Sequence, residues 1–281
     1  MSTGETVRGL LELTRPVNAV AAAVLTFIGA FVAGGSQVLS VEVTAAVGAT
    51  ALAVGAGNAI NDYFDREIDR INQPDRPIPR EAVSPRGALV FSVGLFLAAV
   101  ALALLLPVVA IAIAAINLIA LITYTEYFKG LPGLGNALVA YLVGSTFLFG
   151  AAAVGDIASV VVLFVLAAVA TLTREIIKDV EDLEGDREEG LNTLPIAIGA
   201  HRALVVAAAL LVGAVLASPL PYLFAYFGLA YLLVVLPAVA IMLYGAYESF
   251  SDPTAGQTYL KYGMFLAALA FIVGRAATVL G

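Results

Sequence analysis

The run Asn58-Ala-Ile-Asn-Asp-Tyr-Phe-Asp-Arg-Glu-Ile-Asp69 places carboxylates at the end of an apolar stretch. On a helix turning about 100° per residue, Asn58, Asp62, Asp65 and Asp69 fall within an arc of roughly 60°. Three like charges on one stripe repel each other and call for a compensating charge. Glu175, Asp179, Asp182 and Asp186 repeat that spacing 117 residues later, and Asn61 maps onto Lys178 by the same offset. Two solvated helix ends would explain the acidity but not the matched register. A hard divalent cation suits such stripes, because Mg²⁺ takes oxygen ligands, usually one or two carboxylates plus waters and substrate phosphates.

The elements that must carry these stripes are apolar helices. Of 281 residues 61% are hydrophobic and only 12% charged, with a mean hydropathy of +0.99. Soluble domains are nearer 45–50% apolar and about 25% charged. The fold class is therefore all-α: a polytopic membrane protein with nine transmembrane helices. The segments are about 16–35, 43–64, 86–106, 108–125, 134–153, 157–178, 202–217, 220–246 and 260–280, judged against the ~20 residues that a spanning helix needs. Only Pro107 separates the third and fourth, and Pro237 threatens a kink in the eighth. There is no Cys and one His, His201, which removes thiol chemistry and any His-based metal site.

Arg and Lys fall on one side of a nine-span topology: Arg8 and Arg15 before the first segment, Arg66 to Arg86 after the second, Lys129 after the fourth, and Arg174 to Arg202 around the loop after the sixth. By the positive-inside rule the N-terminus and both stripes are cytoplasmic and the C-terminus is external, in a multi-pass cell-membrane protein. Arg275 is the exception and is expected to snorkel toward the external interface. The offset of 117 residues spans four helices, an even number. A single domain over 1–281 is expected, with a parallel internal repeat of segments one to four and five to eight and a ninth added. Shared sites of parallel repeats lie at the interface between halves. The Pro-containing loops after each stripe, and the loop Tyr124–Gly130, are expected as cytoplasmic caps over a central cavity.

A ligand for two carboxylate clusters, nearby Arg and Lys, and an apolar cavity is strongly anionic at one end and apolar at the other. An isoprenyl diphosphate has that shape. Its allylic carbon–oxygen bond breaks when the charge developing on the leaving group is neutralised. The allylic cation then needs a dry space with aromatic faces, each contributing ~0.5–2 kcal/mol. Phe27, Phe31, Tyr63, Tyr124, Phe147 and Phe149 are the candidates, with ordinary packing as the alternative for each. The metal and catalytic set is Asp62, Asp65, Asp69, Asp179, Asp182 and Asp186. Asn58 and Asn61 would meet metal or diphosphate, or else bond between helices. Arg174, Lys178 and Lys129 would bind diphosphate. Arg70, Arg76 and Arg80 would hold an acceptor's phosphate. Glu175 would bind metal or pair with Arg174 or Lys178. No residue stands out as a general base, and no nucleic-acid partner is expected.

Asn61-Asp62-Tyr-Phe-Asp65-Arg-Glu-Ile-Asp69 resembles the first Asp-rich motif of the UbiA superfamily of intramembrane prenyltransferases, and Asp179-Val-Glu-Asp182-Leu-Glu-Gly-Asp186 resembles the second. The resemblance runs from Arg15-Pro16-Val-Asn18 to the last segment. It implies nine helices around a central cavity, capped by cytoplasmic loop helices and open laterally to lipid. It also implies Mg²⁺ as cofactor, diphosphate contacts from Tyr124 and Lys129, and cavity-lining roles for Asn18 and Arg15. Asp69-Arg-Ile-Asn-Gln-Pro-Asp-Arg-Pro-Ile-Pro79, Gly135 to Ser145, Arg174 to Asp186 and Ser218 to Phe224 look like the archaeal ether-lipid branch. That likeness implies transfer of geranylgeranyl from geranylgeranyl diphosphate to geranylgeranylglyceryl phosphate, a phosphorylated prenyl-glycerol acceptor, to give digeranylgeranylglyceryl phosphate for membrane lipid. The alternatives are an aromatic-acceptor prenyltransferase of quinone or haem biosynthesis, and an ion or phosphate transporter. Transporter carboxylates usually sit near the bilayer midplane, whereas these cluster at one face.

Overall fold

A computed structural model of the chain describes residues 3–128 and 130–280. Among them every regular element is helical. The order is α1 Thr3–Leu13, α2 Pro16–Gly34, α3 Val41–Phe64, α4 Arg66–Asn72, α5 Pro85–Ala103, α6 Val108–Thr123, α7 Leu134–Ala153 and α8 Val161–Glu181. Then come α9 Leu183–Glu188, α10 Leu194–Ile198, α11 Ala200–Ala217, α12 Leu220–Leu223, α13 Leu229–Glu248 and α14 Pro253–Leu280. Eight helical spans are long and apolar enough to cross a membrane. The one expected segment not among them is the fourth, α6, apolar but only 16 residues long.

Local chemistry sets the helix starts. Pro16 and Pro85 stand in the first turns of α2 and α5, where a missing N–H costs nothing. Ser40 and Ser84 cap α3 and α5 by accepting from the backbone N–H of Val43 and Gly87 at 3.3 and 3.1 Å. α2 and α7 cross in close contact at glycines: a Cβ on Gly29 would strike the Phe147 carbonyl, and one on Gly150 the Thr26 carbonyl. Small residues allow this backbone approach in lipid, where no hydrophobic drive joins helices. Hydroxyl bonds add to it, with Thr26 and Thr50 paired at 2.9 Å between α2 and α3. α7 packs on α2, α3 and α8, so it is the element shared by the two acidic helices.

Two expected boundaries need correction, and one helix and one contact are added to the expected set. A helix precedes the first apolar segment: α1 docks its Gly9 and Leu13 against the loop at Ala82 and Val83 and against α3. The eighth segment does not run from 220. Leu220–Leu223 completes the preceding span, Ala225 turns with φ 56°, and α13 begins at Leu229 and continues through Pro237. The last span starts at Pro253 rather than 260. Arg275 Nη2 donates to the Ala33 carbonyl in the last turn of α2, at 3.4 Å, where helix-end carbonyls attract a cation.

Candidate active site

The stripes do not lie on uninterrupted helices. α3 ends at Phe64 and α4 starts at Arg66, with Asp65 at the joint (φ −80°, ψ 0°). α8 ends at Glu181 and α9 starts at Leu183, with Asp182 at the joint (φ −86°, ψ 6°). Both breaks fall on the middle carboxylate, 117 residues apart. The near-zero ψ lies in the sparsely used bridge region, yet the i−4 bonds survive: the N–H of Asp65 reaches Asn61 at 2.8 Å and that of Asp182 reaches Lys178 at 2.9 Å. The middle carboxylate is exposed in both stripes, while the outer two are more enclosed.

The first stripe is neutralised by arginine. Asp62 and Asp69 are 3% and 4% exposed. Arg15 Nη2 donates to Asp62 at 2.6 Å, and Arg76 Nη1 bridges Asp69 at 2.5 Å and Asp62 at 3.4 Å. Arg15 holds this position in the left-handed region, φ 45°, a conformation that costs a non-glycine residue of order 1–3 kcal/mol. Asn58 donates to the Thr14 carbonyl at 3.0 Å and so ties α3 to the turn that presents Arg15. Asn61 is exposed. Asn58 and Asn61 both line a cavity of about 330 Å³ between α3, α5, α6 and α7, walled by Phe96 and Phe149.

The second stripe has a neutral partner instead. Asn136 of α7 donates to Asp179 at 2.8 Å, and Lys178 stands 3.5 Å from the exposed Asp182. Asp186 has one carboxylate oxygen buried with no hydrogen-bond partner. Burial pushes its pKa above the ordinary carboxylate value. Burial, and then the Glu175 carboxylate, push the Tyr124 phenol upward, so it stays a protonated donor. Tyr124 opens a single π turn, Tyr124–Phe128, an irregularity frequent at functional sites.

Other expected residues are placed elsewhere. Arg174 turns to Glu175 at 2.8 Å and Gln257 at 3.1 Å. Arg70 pairs with Glu67 at 2.6 Å on an exposed surface, and Arg80 with Glu12 at 2.6 Å. Asn18 is exposed in the first turn of α2. Of the aromatics, Phe149 lines the cavity named above and Phe147 a second one. Phe27 stacks on Phe31, and Tyr63 lies under the Arg66 guanidinium at 4.8 Å. Lys129 lies outside the described residues. Sequence reasoning missed Asn136 and Phe96. An Asn in an apolar helix was the available signal for the first; for the second there was none, since one Phe among many apolar neighbours is unremarked.

Among the described residues no three Asp, Glu or His side chains gather into one metal-holding group. The donors present still fit Mg²⁺, which needs one or two carboxylates alongside water and substrate phosphates. The unpartnered oxygen of Asp186 and the exposed carboxylates of Asp65 and of Asp182, the latter facing Lys178 at 3.5 Å, are accessible hard donors.

The family model described as the UbiA prenyltransferase family matches residues 22–269. The chain belongs to that family. Relatives of this UbiA prenyltransferase are close and full-length. A Natronomonas pharaonis protein named digeranylgeranylglyceryl phosphate synthase is 67% identical, covering 98% of this chain and 99% of its own. A Halobacterium salinarum protein of that name is 62% identical, with coverages of 98% and 99%. A solved structure of digeranylgeranylglyceryl phosphate synthase superposes with a TM-score of 0.85 at 36% identity, over 97% of this chain and 99% of that one. A UbiA homolog from Archaeoglobus fulgidus bound to GPP and Mg²⁺ gives 0.74 at 19% identity, over 97% and 100%; that likeness speaks to the fold alone. This UbiA prenyltransferase is a multi-pass membrane protein.

Proposed function

We propose that this prenyltransferase moves a geranylgeranyl group from geranylgeranyl diphosphate to the free hydroxyl of geranylgeranylglyceryl phosphate, releasing diphosphate. The observation that carries the reading is a carboxylate stripe set at the mouth of an apolar cavity, with Asn58 belonging to both and Asn61, next to Asp62, in the cavity wall. A ligand that satisfies this geometry has an anionic head and a long hydrocarbon tail. Near-complete identity of length with relatives named digeranylgeranylglyceryl phosphate synthase, at 62–67% identity, favours the glyceryl phosphate acceptor over an aromatic one.

Asp62, Asp65, Asp69, Asp179, Asp182 and Asp186 would hold Mg²⁺, directly or through water, and the ion would supply neutralisation of the leaving diphosphate. Asn58 and Asn61 orient the head by hydrogen bonds from their amides, and Tyr124 donates its phenol. Lys178 and Lys129 cover the remaining oxygens. Arg76, which bridges Asp62 and Asp69, and Arg70 would meet the acceptor's phosphate. Arg174 acts through Glu175 rather than on the diphosphate. Asn18 and Arg15 hold the entry of α2 against the first stripe. Phe96 and Phe149 keep the cavity dry and offer ring faces to an allylic cation. By charge distribution the N-terminus and site are cytoplasmic and the C-terminus external.

The test is direct. Purified protein is incubated with Mg²⁺, radiolabelled geranylgeranyl diphosphate and either geranylgeranylglyceryl phosphate or a phenolic acid. A labelled two-chain lipid phosphate is expected. Prenylation of the phenolic acid with none of the glyceryl phosphate overturns the reading.

A further inference from the structure

Behind α7 lies a second cavity of about 130 Å³, enclosed by α8, α11, α13 and α14 with contributions from α2 and α7. It touches none of the six aspartates, yet its walls repeat those of the larger cavity. Thr50, Ala53 and Val54 of α3 line the larger one, and the residues 117 places on, Ala167, Ala170 and Thr171 of α8, line the smaller. Phe96 and Ala99 of α5 correspond in the same way to Leu211 and Ala214 of α11, 115 places on. Leu142, Thr146 and Phe149 of α7 correspond to Met264, Ala268 and Phe271 of α14, 122 places on. Each offset is constant within its helix, so the same helix faces are turned inward in both halves. Each cavity lies under one acidic stripe.

One side chain in the smaller cavity is unspent. Thr171 is 3% exposed, lines the cavity, and its hydroxyl has no partner. Two residues on, Thr173 makes the usual bond to the carbonyl four back, at 3.0 Å. A water is poorly held there, because it needs 2–4 polar partners, whereas a dry apolar cavity of ~150 Å³ takes up a small hydrocarbon ring. A polyprenyl chain suits both facts: it is hydrocarbon, and each of its double bonds offers a π face as weak acceptor.

We propose that segments six to nine repeat segments two to five, so that the ninth is a copy of the fifth and not an addition to a repeat of one to four, and that of the two matched pockets the one under the second stripe binds a section of a polyprenyl tail. This rests on the prenyl-transfer reading above. The tail belongs to the donor or to the acceptor; the chemistry is shared, and the test separates the two. Thr171 lies eight residues from Asp179, about 12 Å along the helix at 1.5 Å per residue. A five-carbon dimethylallyl tail whose head sits at the stripe does not reach it, but a twenty-carbon tail does.

The experiment fills the smaller cavity with Ala170→Leu and its counterpart in the larger one with Ala53→Leu. Kinetics are measured for long and short tails on each substrate in turn: geranylgeranyl against dimethylallyl diphosphate with acceptor fixed, then geranylgeranylglyceryl against geranylglyceryl phosphate with donor fixed. Ala170→Leu is expected to raise KM at least tenfold for one long-tailed substrate and to leave its short-tailed analogue within twofold. The substrate affected names the tail. Equal effects on long and short tails of both substrates, or no effect on any, overturn the proposal. Ala170→Val, with a melting temperature for both variants, supplies a graded step if the leucine disturbs folding. Wild-type protein that turns over none of these substrates refutes the prenyl-transfer reading itself, a result distinct from a failure confined to Ala170→Leu.

Discussion

The two acidic stripes share spacing, helix break and pattern of exposure, and differ in what neutralises them. The first has two guanidinium groups on its enclosed carboxylates, from Arg15 and Arg76. The second has one guanidinium, from Arg174 on Glu175, an amide on Asp179 and a loosely placed ammonium at Asp182, for four carboxylates in place of three. Without a cation the first stripe is close to balanced and the second keeps a surplus of negative charge. Equal sequence spacing therefore specifies equal backbone but not equal electrostatics. The difference comes from elements far away in sequence: the α1–α2 turn and the loop after α4 for the first, α7 for the second.

The sharpest way to break this comparison is to remove one carboxylate from each stripe. Asp69→Asn and Asp186→Asn are both expected to lower turnover at least 100-fold, the scale for losing one charge-stabilising group in a transition state. Their stabilities are expected to diverge. Asp69→Asn leaves Arg76 with only its longer contact to Asp62 and destabilises by about 1–3 kcal/mol, less than for a fully buried pair because Arg76 is partly solvated. Asp186→Asn removes a carboxylate already strained by burial, and thermal unfolding without Mg²⁺ is expected unchanged or slightly higher. Equal losses of melting temperature would show that the electrostatic contrast is not real.

Next come the partners. Arg15→Ala strips the closest cation from Asp62 and is expected to cost about 1–2 kcal/mol, less than for a buried pair because 38% of the Arg15 side chain is open to solvent. Asn136→Ala leaves Asp179 without its amide at a comparable cost of about 1–2 kcal/mol. In the proposed enzyme, Mg²⁺ is expected to restore more of the lost melting temperature in Asn136→Ala, because an added cation supplies what the second stripe lacks. The same restoration in both variants would remove the asymmetry.

The smallest effect concerns the support of the first stripe. Arg80 bonds Glu12 and holds its carboxyl below the usual range. A depressed folded pKa adds stability above the unfolded value of about 4.3 and loses it as pH falls through the folded one. Glu12→Gln is expected to flatten a shallow drop in melting temperature below about pH 4.5 and to leave turnover within twofold. A loss of turnover above tenfold would mean that α1 does more than brace Arg15.

Much of this arrangement was legible in the residues. The apolar runs located the spanning helices because lipid demands continuous internal backbone bonding, and Pro16, Pro85 and Pro107 marked their starts. The acidic register was legible because it repeats at one offset. The break at the eighth span was not, since Leu220–Leu223 and Leu229–Glu248 read as one apolar run, and the left-handed residue of the turn is Ala225 rather than Gly228, which caps α13. α1 escaped notice because its buried face is small, Gly9 and Leu13, and its contacts are with a loop. The partner of Arg174 was misjudged for a similar reason: Gln257 is 83 residues away, and local charge gave no hint of it.

What the sequence determined by itself is the membrane-crossing helical class, the twin carboxylate registers and the family, since periodicity and motif are properties of the chain read in order. Tertiary structure alone decided that Arg76 and Arg15 close on Asp62, that Asn136 meets Asp179, that both helices break at the middle carboxylate, and that α7 divides two cavities. Those outcomes depend on which distant helices pack together, and packing between apolar faces follows shape and hydrogen bonding across the interface rather than any pattern along one segment.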